Sequence, residues 1–253
     1  KVRLSIEYMD AKRYAPERVA PALEVLLQAK YAGEPLDAIV VSDDSALTFL
    51  LERRAHFFPD TPVVFVGVND YTASGAAEHA QVTGVIEDAD MAGTLALICR
   101  LHPEMKRLLV ISDMVPTAAI HLEQFRRSAS ELPSHVEVAE LTGLAVSDLR
   151  TAMRDHPPGT VALLLSYYLD PRGVRFEARE SALLISSFDI PLYSMWDIYL
   201  GHGIVGGSLT SGHVHGRKAS ELLARVLSGE PTEAIPIVWQ SPSQIMLDYA
   251  QLR

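Results

Sequence analysis

Apolar and polar residues alternate in blocks along the chain, and each block has the length of one secondary-structure element. Short apolar runs bounded by polar turns predict buried strands at residues 37–42, 62–67, 107–112, 160–166 and 191–195. Apolar residues spaced as one helical face predict helices at residues 16–31, 45–54, 117–132, 175–187 and 215–228. Strands that alternate with helices in this way predict an α/β fold, with parallel open sheets flanked by helices.

The ends of the chain carry further extended segments. Residues 2–7 alternate between apolar and polar, which predicts an edge strand with one solvated face. Residues 203–210 predict a glycine-containing strand, and residues 235–239 and 244–247 predict two short closing strands. A single open sheet with this many strands would be unusually wide, so we expect two βα domains in tandem.

Composition narrows the classes of function. The formal net charge of −10 argues against a nucleic acid partner, because little in the chain would neutralise phosphates. No apolar stretch approaches the roughly 20 residues that a membrane-spanning helix needs. Cys99 is the only cysteine, which excludes an intrachain disulfide and a cysteine-clustered zinc site.

Candidate binding residues follow the predicted strands. Ligands of open α/β sheets bind beyond the carboxyl ends of the strands, where carboxylates, amides and aromatic rings can orient and bury a small molecule. The candidates at these positions are Asp43, Asp44, Asn69, Asp113, Tyr167, Trp196 and Asp197.

Five of these candidates also have a structural interpretation. Asp43 and Asp44 precede a predicted helix and suit N-caps, and Asn69 suits a turn. Tyr167 and Trp196 suit core or interface positions. For the histidines of residues 213–215, a role in helix entry is favoured over metal binding because no third ligand is nearby.

The chain has no recognisable enzyme signature. It contains no Gly-x-Ser-x-Gly elbow, no phosphate-binding glycine loop ending in lysine, and no dinucleotide fingerprint. We therefore expect a binding protein rather than an enzyme, with no cofactor and no metal. An enzyme that acts on a small carboxylated or amide substrate remains the alternative.

Three segments resemble a known family. Residues 7–13, 39–47 and 62–70, with the strand ends Ser-Asp-Asp and Gly-Val-Asn-Asp, are similar to the ABC-transporter substrate-binding-like family. More narrowly, they resemble the extracytoplasmic sensor domain of bacterial hybrid histidine kinases. The resemblance implies a type I periplasmic-binding-protein fold, in which two lobes close on a small ligand by hinge motion. It implies three crossover strands, near residues 83–87, 203–208 and 233–238.

On this resemblance, residues 1–84 with 206–230 form the first lobe, and residues 85–205 with 231–253 form the second. The family's first strand and helix are missing ahead of residue 2, and a second copy of the chain, in a homodimer, or an unseen segment is expected to fill that gap. The implied location is the periplasm, tethered to the inner membrane through flanking segments. The alternative is the periplasmic binding protein of an ABC importer for a small solute such as an amino acid.

Overall fold

The computed structural model of the protein describes residues 2–11 and 14–252, which divide into two units. The first unit consists of the chain up to Glu87 together with His215–Gln240. The second consists of Asp88–Val214 together with the chain from Ser241 onward. The sequence placed the three divisions after residues 84, 205 and 230, so the observed divisions lie further along the chain in each case.

The first unit is built on a three-stranded parallel sheet in the order β1-β2-β3. Its strands are β1 (Ile39–Ser42), β2 (Val63–Val68) and β3 (Val82–Ile86). Its helices are α1 (Pro16–Tyr31), α2 (Asp44–Phe57) and most of α7 (Gly212–Leu227). Because side chains alternate along a strand, Val63 and Phe65 pack with the apolar residues of α2, whereas Val64 packs with those of α7.

The second unit contains a six-stranded sheet in the order β5-β4-β6-β7-β8-β9. The strands are β4 (Arg107–Ser112), β5 (Glu137–Thr142), β6 (Thr160–Leu164), β7 (Leu192–Ser194), β8 (Gly206–Thr210) and β9 (Ser243–Leu247). The helices are α3 (Met91–Leu101), α4 (Pro116–Ser128), α5 (Val146–Arg154) and α6 (Ala178–Ser186).

The pairing in this sheet is parallel except for β9, which runs antiparallel to β8. Two apolar clusters cover its faces, one with residues of α3 and α4 and the other with residues of α5 and α6. The carboxyl ends of β4, β6, β7 and β8 therefore share one edge, which is where the sequence placed its candidate site.

Residues 2–7 do not form the strand that their alternation predicts. The apolar members of the segment are exposed, with 74% of Val2, 74% of Leu4 and 60% of Ile6 accessible. The segment is held beside α1 by the Glu7 carboxylate, which accepts hydrogen bonds from Lys30 and Tyr31. Alternation alone makes no strand, because the ladder hydrogen bonds require a neighbouring strand.

Two later segments also differ from expectation. Residues 235–239 make only an isolated parallel bridge between Val85 and Val238, and Pro236 has no N–H to contribute to a ladder. Residues 206–210, expected in the first lobe, form β8 in the sheet of the second unit. A Cβ on Gly207 would lie 1.9 Å from the Ser194 carbonyl oxygen, so this close strand approach requires glycine. The glycines indicated close packing, but they could not identify which sheet the strand joins.

Candidate functional site

In the first unit, the Asp44 carboxylate fastens the loop after β2 to the start of α2. Oδ1 accepts hydrogen bonds from the backbone N–H groups of Asn69 and Asp70, and Oδ2 accepts one from the Asn69 side-chain amide, all at 3.0 Å. As the first residue of α2, Asp44 also places negative charge where the helix dipole favours it. The structure brings Asp44 and Asn69 together, and the contacts of Asp44 are those of a residue that holds a loop.

Asp43 and Asn69 have features that a ligand can use. Asp43 has φ 82° and ψ 154°, a conformation that favours glycine, while its carboxylate accepts the Asp44 N–H at 2.8 Å. Such a backbone costs about 1–3 kcal/mol and is common at ligand clamps. Because the Asn69 amide donates to Asp44, its Oδ1 is left as a buried acceptor with no partner among the described residues.

An aromatic pair that sequence reasoning missed follows this loop. The Tyr71 and Trp239 ring centroids are 5.3 Å apart with an interplanar angle of 82°, and Trp239 is 60% exposed. Tyr71 also packs on Phe65 at 5.4 Å, and burial raises the pKa of its hydroxyl. Trp239 directly follows an apolar run, as the other candidates do. That position was the available signal, but the residue was assigned to a closing strand.

In the second unit, Asp113 ties the end of β4 to the segment after β6. It is 2% exposed, and its Oδ1 accepts the Ser166 hydroxyl at 2.9 Å. Its Oδ2 accepts the backbone N–H groups of Tyr168 at 2.6 Å and Leu169 at 3.3 Å. With both oxygens engaged by the protein, Asp113 serves to shape this edge of the sheet rather than to present a free carboxylate.

Tyr167 lies in the core, in agreement with its structural interpretation. It is 1% exposed, its hydroxyl donates to the Leu144 carbonyl oxygen at 2.8 Å, and its ring packs against Phe176. Burial, reinforced by nearby carboxylates, raises the pKa of Tyr167 to about 12. The neutral hydroxyl is therefore kept as a hydrogen-bond donor over the whole physiological range.

Trp196, two residues after the end of β7, lies side by side with Thr210, the last residue of β8. Their backbones form a parallel bridge, and the Thr210 N–H donates to the Met195 carbonyl oxygen at 2.7 Å. Trp196 is half-buried, and its indole N–H donates to the Leu165 carbonyl oxygen at 3.0 Å. The indole also lies against the His121 ring, with centroids 5.0 Å apart. Trp196 thus has one fixed orientation and part of its surface open.

Two polar groups beside Trp196 lack partners within the described chain. The Thr210 hydroxyl is in a residue only 2% exposed, yet no described group bonds to it. The half-buried Asp197 begins a short 3-10 helix, and no described residue donates a hydrogen bond to its carboxylate. A buried polar atom without a partner is uncommon and calls for a ligand, water or ion. Thr210 escaped the sequence reasoning because its strand was expected in the other lobe.

Three further facts concern metal binding, the histidines of α7 and membrane-spanning helices. Within residues 2–11 and 14–252, no group of three or more histidine, cysteine, aspartate or glutamate side chains is arranged to hold a metal ion. Within α7, His213 is exposed whereas His215 is buried, so the two rings do not share a surface. None of the helices in the described part of the chain combines the length and apolar character needed to cross a bilayer.

By sequence, the chain matches no known family and no curated protein. By structure, it is similar to a ligand-free, open substrate-binding protein with adhesive properties from Clostridium difficile. The TM-score is 0.71 at 15% identity, covering 94% of this chain and 79% of the other. The fold is that of the type I periplasmic binding proteins. This result confirms the α/β fold, with parallel sheets flanked by helices, that the sequence predicted.

Two further solved structures match over a similar extent. An ABC domain from Streptococcus pneumonia in complex with L-Trp has a TM-score of 0.66 at 14% identity, covering 93% of this chain and 79% of the other. An ABC transporter solute-binding protein from Burkholderia graminis in complex with D-arabinose has a TM-score of 0.61 at 14% identity, covering 92% and 81%. At these identities, the likeness establishes the fold alone.

Proposed function

We propose that this chain binds a small solute at the carboxyl ends of its parallel strands and is not an enzyme. The observation that carries the proposal is the fold, which it shares with proteins whose structures hold L-Trp and D-arabinose. Support within the chain comes from the open surface of Trp196, the Asp197 carboxylate and the unpartnered Thr210 hydroxyl.

The free groups suggest a chemistry for the solute. In the second unit the Asp197 carboxylate is an acceptor, so the ligand should carry hydrogen-bond donors such as an ammonium or hydroxyl groups. The neighbouring Trp196 offers a flat apolar surface, which suits an apolar or ring-shaped portion. A small compound with an amine and an apolar part meets both requirements, and so does a sugar with one apolar face.

The binding test uses isothermal titration with L-tryptophan and D-arabinose, followed by a panel of amino acids and sugars. A carboxylate that accepts a donor from the ligand contributes about 1.5–3 kcal/mol, so Asp197→Asn should weaken binding by roughly 10- to 100-fold. Trp196→Ala should weaken it further through the loss of ring contact.

Asp155→Asn provides the matched control. Asp155 is exposed and follows α5, which returns the chain to the amino-terminal end of β6, away from the candidate edge. If a solute binds to the parent, to Asp197→Asn and to Asp155→Asn with the same affinity, the proposed site is contradicted. If no compound of either class binds, the proposal of solute binding by this chain fails.

We further propose that the chain is the extracytoplasmic sensing domain of a membrane-bound histidine kinase, whose kinase activity lies outside this chain. This finer proposal is supported by the sequence resemblance. The rival role, delivery of a solute to an ABC importer, is favoured by the solute-binding protein from Burkholderia graminis among the structural neighbours.

The full-length protein in membranes distinguishes the two roles. For a sensor, addition of the solute found by titration should change the rate of autophosphorylation, and Asp197→Asn should shift the effective concentration upward. For an importer component, the solute should be taken up by cells and uptake should be lost on deletion of the gene. A full-length protein without a kinase would exclude the sensor role.

A further inference from the structure

We infer that His121, Gln124 and Asp88 form a hydrogen-bonded relay that positions the Trp196 ring and links it to the chain segment entering the second unit. The inference rests on the proposed function only in treating Trp196 as a ligand-contacting side chain. All groups of the relay belong to the second unit. His121 and Gln124 lie on α4, and Asp88 follows Glu87, where the first segment of the first unit ends.

The relay begins at the indole of Trp196. His121 is 5% exposed, and its ring meets the indole at a centroid distance of 5.0 Å and an angle of 60°. The indole N–H is separately fixed by the Leu165 carbonyl oxygen. One contact holds the edge of the indole and the other supports its surface, so a shift of the imidazole would change the tilt of Trp196.

The two hydrogen bonds of the Gln124 side chain determine where the protons of the relay lie. The Gln124 Nε2 lies 3.1 Å from the Asp88 Oδ1, and a carboxylate oxygen requires a donor, so the amide nitrogen faces Asp88. The Gln124 Oε1, an acceptor, therefore faces the His121 Nδ1 at 3.2 Å. It follows that Nδ1 of His121 carries a proton and donates it to this bond. Each group has one role and cannot exchange it without breaking a neighbour's bond.

The far end of the relay lies where the chain enters the second unit. The Asp88 backbone N–H donates to the Ser241 hydroxyl at 3.0 Å. Asp88 follows the first passage between the units, and Ser241 follows the last. Asp88 thus accepts the hydrogen bond from Gln124 through its carboxylate and bonds to Ser241 through its backbone N–H. The second bond fastens the two connecting segments of the chain to each other. A solute that contacts Trp196 can therefore shift these connecting segments through His121, Gln124 and Asp88, which already form a chain of hydrogen bonds.

The first test changes Asp88 and Gln124, which are distant from the indole, and measures the effect on Trp196 in the ligand-free protein. Trp196 and Trp239 are the only tryptophans, so Trp239→Phe leaves Trp196 as the sole indole reporter. In that background, Asp88→Ala and Gln124→Leu should each raise the acrylamide quenching constant of Trp196, and the double variant should raise it no further. Asp88→Asn retains an acceptor oxygen and should restore the parent value. Glu123→Leu, at an exposed neighbouring position of α4, is the matched control.

The second test changes His121, which contacts Trp196, and measures hydrogen exchange at the Asp88 amide in the connecting segment. Hydrogen exchange should show the Asp88 amide losing about tenfold protection in His121→Phe, equivalent to about 1.4 kcal/mol, because the ring remains but the donor is lost. His121→Asn, which keeps a donor, should lose less. Ser241→Ala removes the acceptor of the Asp88 N–H and sets the maximum effect.

An unchanged quenching constant in Asp88→Ala, or equal effects of Asp88→Ala and Asp88→Asn, would overturn the relay. Equal exchange in His121→Phe and the parent would do the same. Both readouts are obtained on the ligand-free chain, so they are independent of solute binding. Titration of the same variants with L-tryptophan and D-arabinose then tests the proposed function separately.

Discussion

Replacement of Asp113 by alanine should destabilise the second unit severely, although Asp113 occupies a position typical of a ligand contact. The substitution removes three hydrogen bonds that a buried carboxylate accepts, two of them from the backbone N–H groups of Tyr168 and Leu169. Hydrogen bonds to charged groups contribute about 1.5–3 kcal/mol each, but they are not additive. We expect a loss of roughly 3–5 kcal/mol, a large share of the about 5–15 kcal/mol that typically stabilises a folded domain.

The assay is urea unfolding followed by the fluorescence of Trp196 in the Trp239→Phe background, because Trp196 reports on the second unit. Asp197→Asn is the control, since no described residue donates to its carboxylate, and it should change the unfolding free energy by less than about 0.5 kcal/mol. A loss below about 1 kcal/mol in Asp113→Ala, or an equal loss in the two variants, would refute the assignment of these acids to different roles.

Three further outcomes follow from the contacts described. Thr210→Val replaces an unpartnered buried hydroxyl by a methyl group and should leave the unfolding free energy unchanged or raise it by about 1 kcal/mol, whereas a loss above that would reveal a partner. Asp44→Ala should lower the unfolding free energy of the first unit by about 2–4 kcal/mol, because it removes the acceptor of the backbone N–H groups of Asn69 and Asp70. A change near zero would contradict the role of Asp44 in holding this loop. Burial raises the pKa of Tyr167 and Tyr193 to about 12 from an ordinary value of 10.0. Between pH 10 and pH 12 the folded chain therefore binds more protons than the unfolded chain. Stability present below pH 10 should therefore fall progressively towards pH 12, and tyrosinate absorbance should show both groups ionising late.

The sequence predicted the strands near β1, β2, β4 and β6 because each is a buried apolar run between polar turns. Periodicity reports which faces are buried, but it does not report pairing. Residues 2–7 have the alternation of a strand yet lie exposed beside α1. Residues 206–210 have the pattern of a strand, but their place between β7 and β9 depends on contacts distant in sequence.

The sequence predicted which polar and aromatic residues follow the strands, but not which contacts their side chains make. Polar and aromatic residues do follow the strands, because that edge of each sheet is where loops begin. Whether an acid there is free depends on donors from other loops, such as Ser166 for Asp113 or Asn69 for Asp44. These donors are 53 and 25 positions away in the chain, and no local pattern reveals them. Thr210 could not be recognised because its strand was expected in the other lobe, and because the absence of a hydrogen-bond partner leaves no trace in sequence.

The engagement of Asp44 and Asp113 by backbone N–H groups has a consequence for divergence among related chains. An acid bound in this way is constrained by folding, so it should persist while ligands change, and its presence in a relative carries little information about what that relative binds. Asp197, which no described residue engages, can be exchanged at little cost to folding. Variation at Asp197 and Trp196, set against constancy at Asp44 and Asp113, should therefore record the history of ligand choice in this fold.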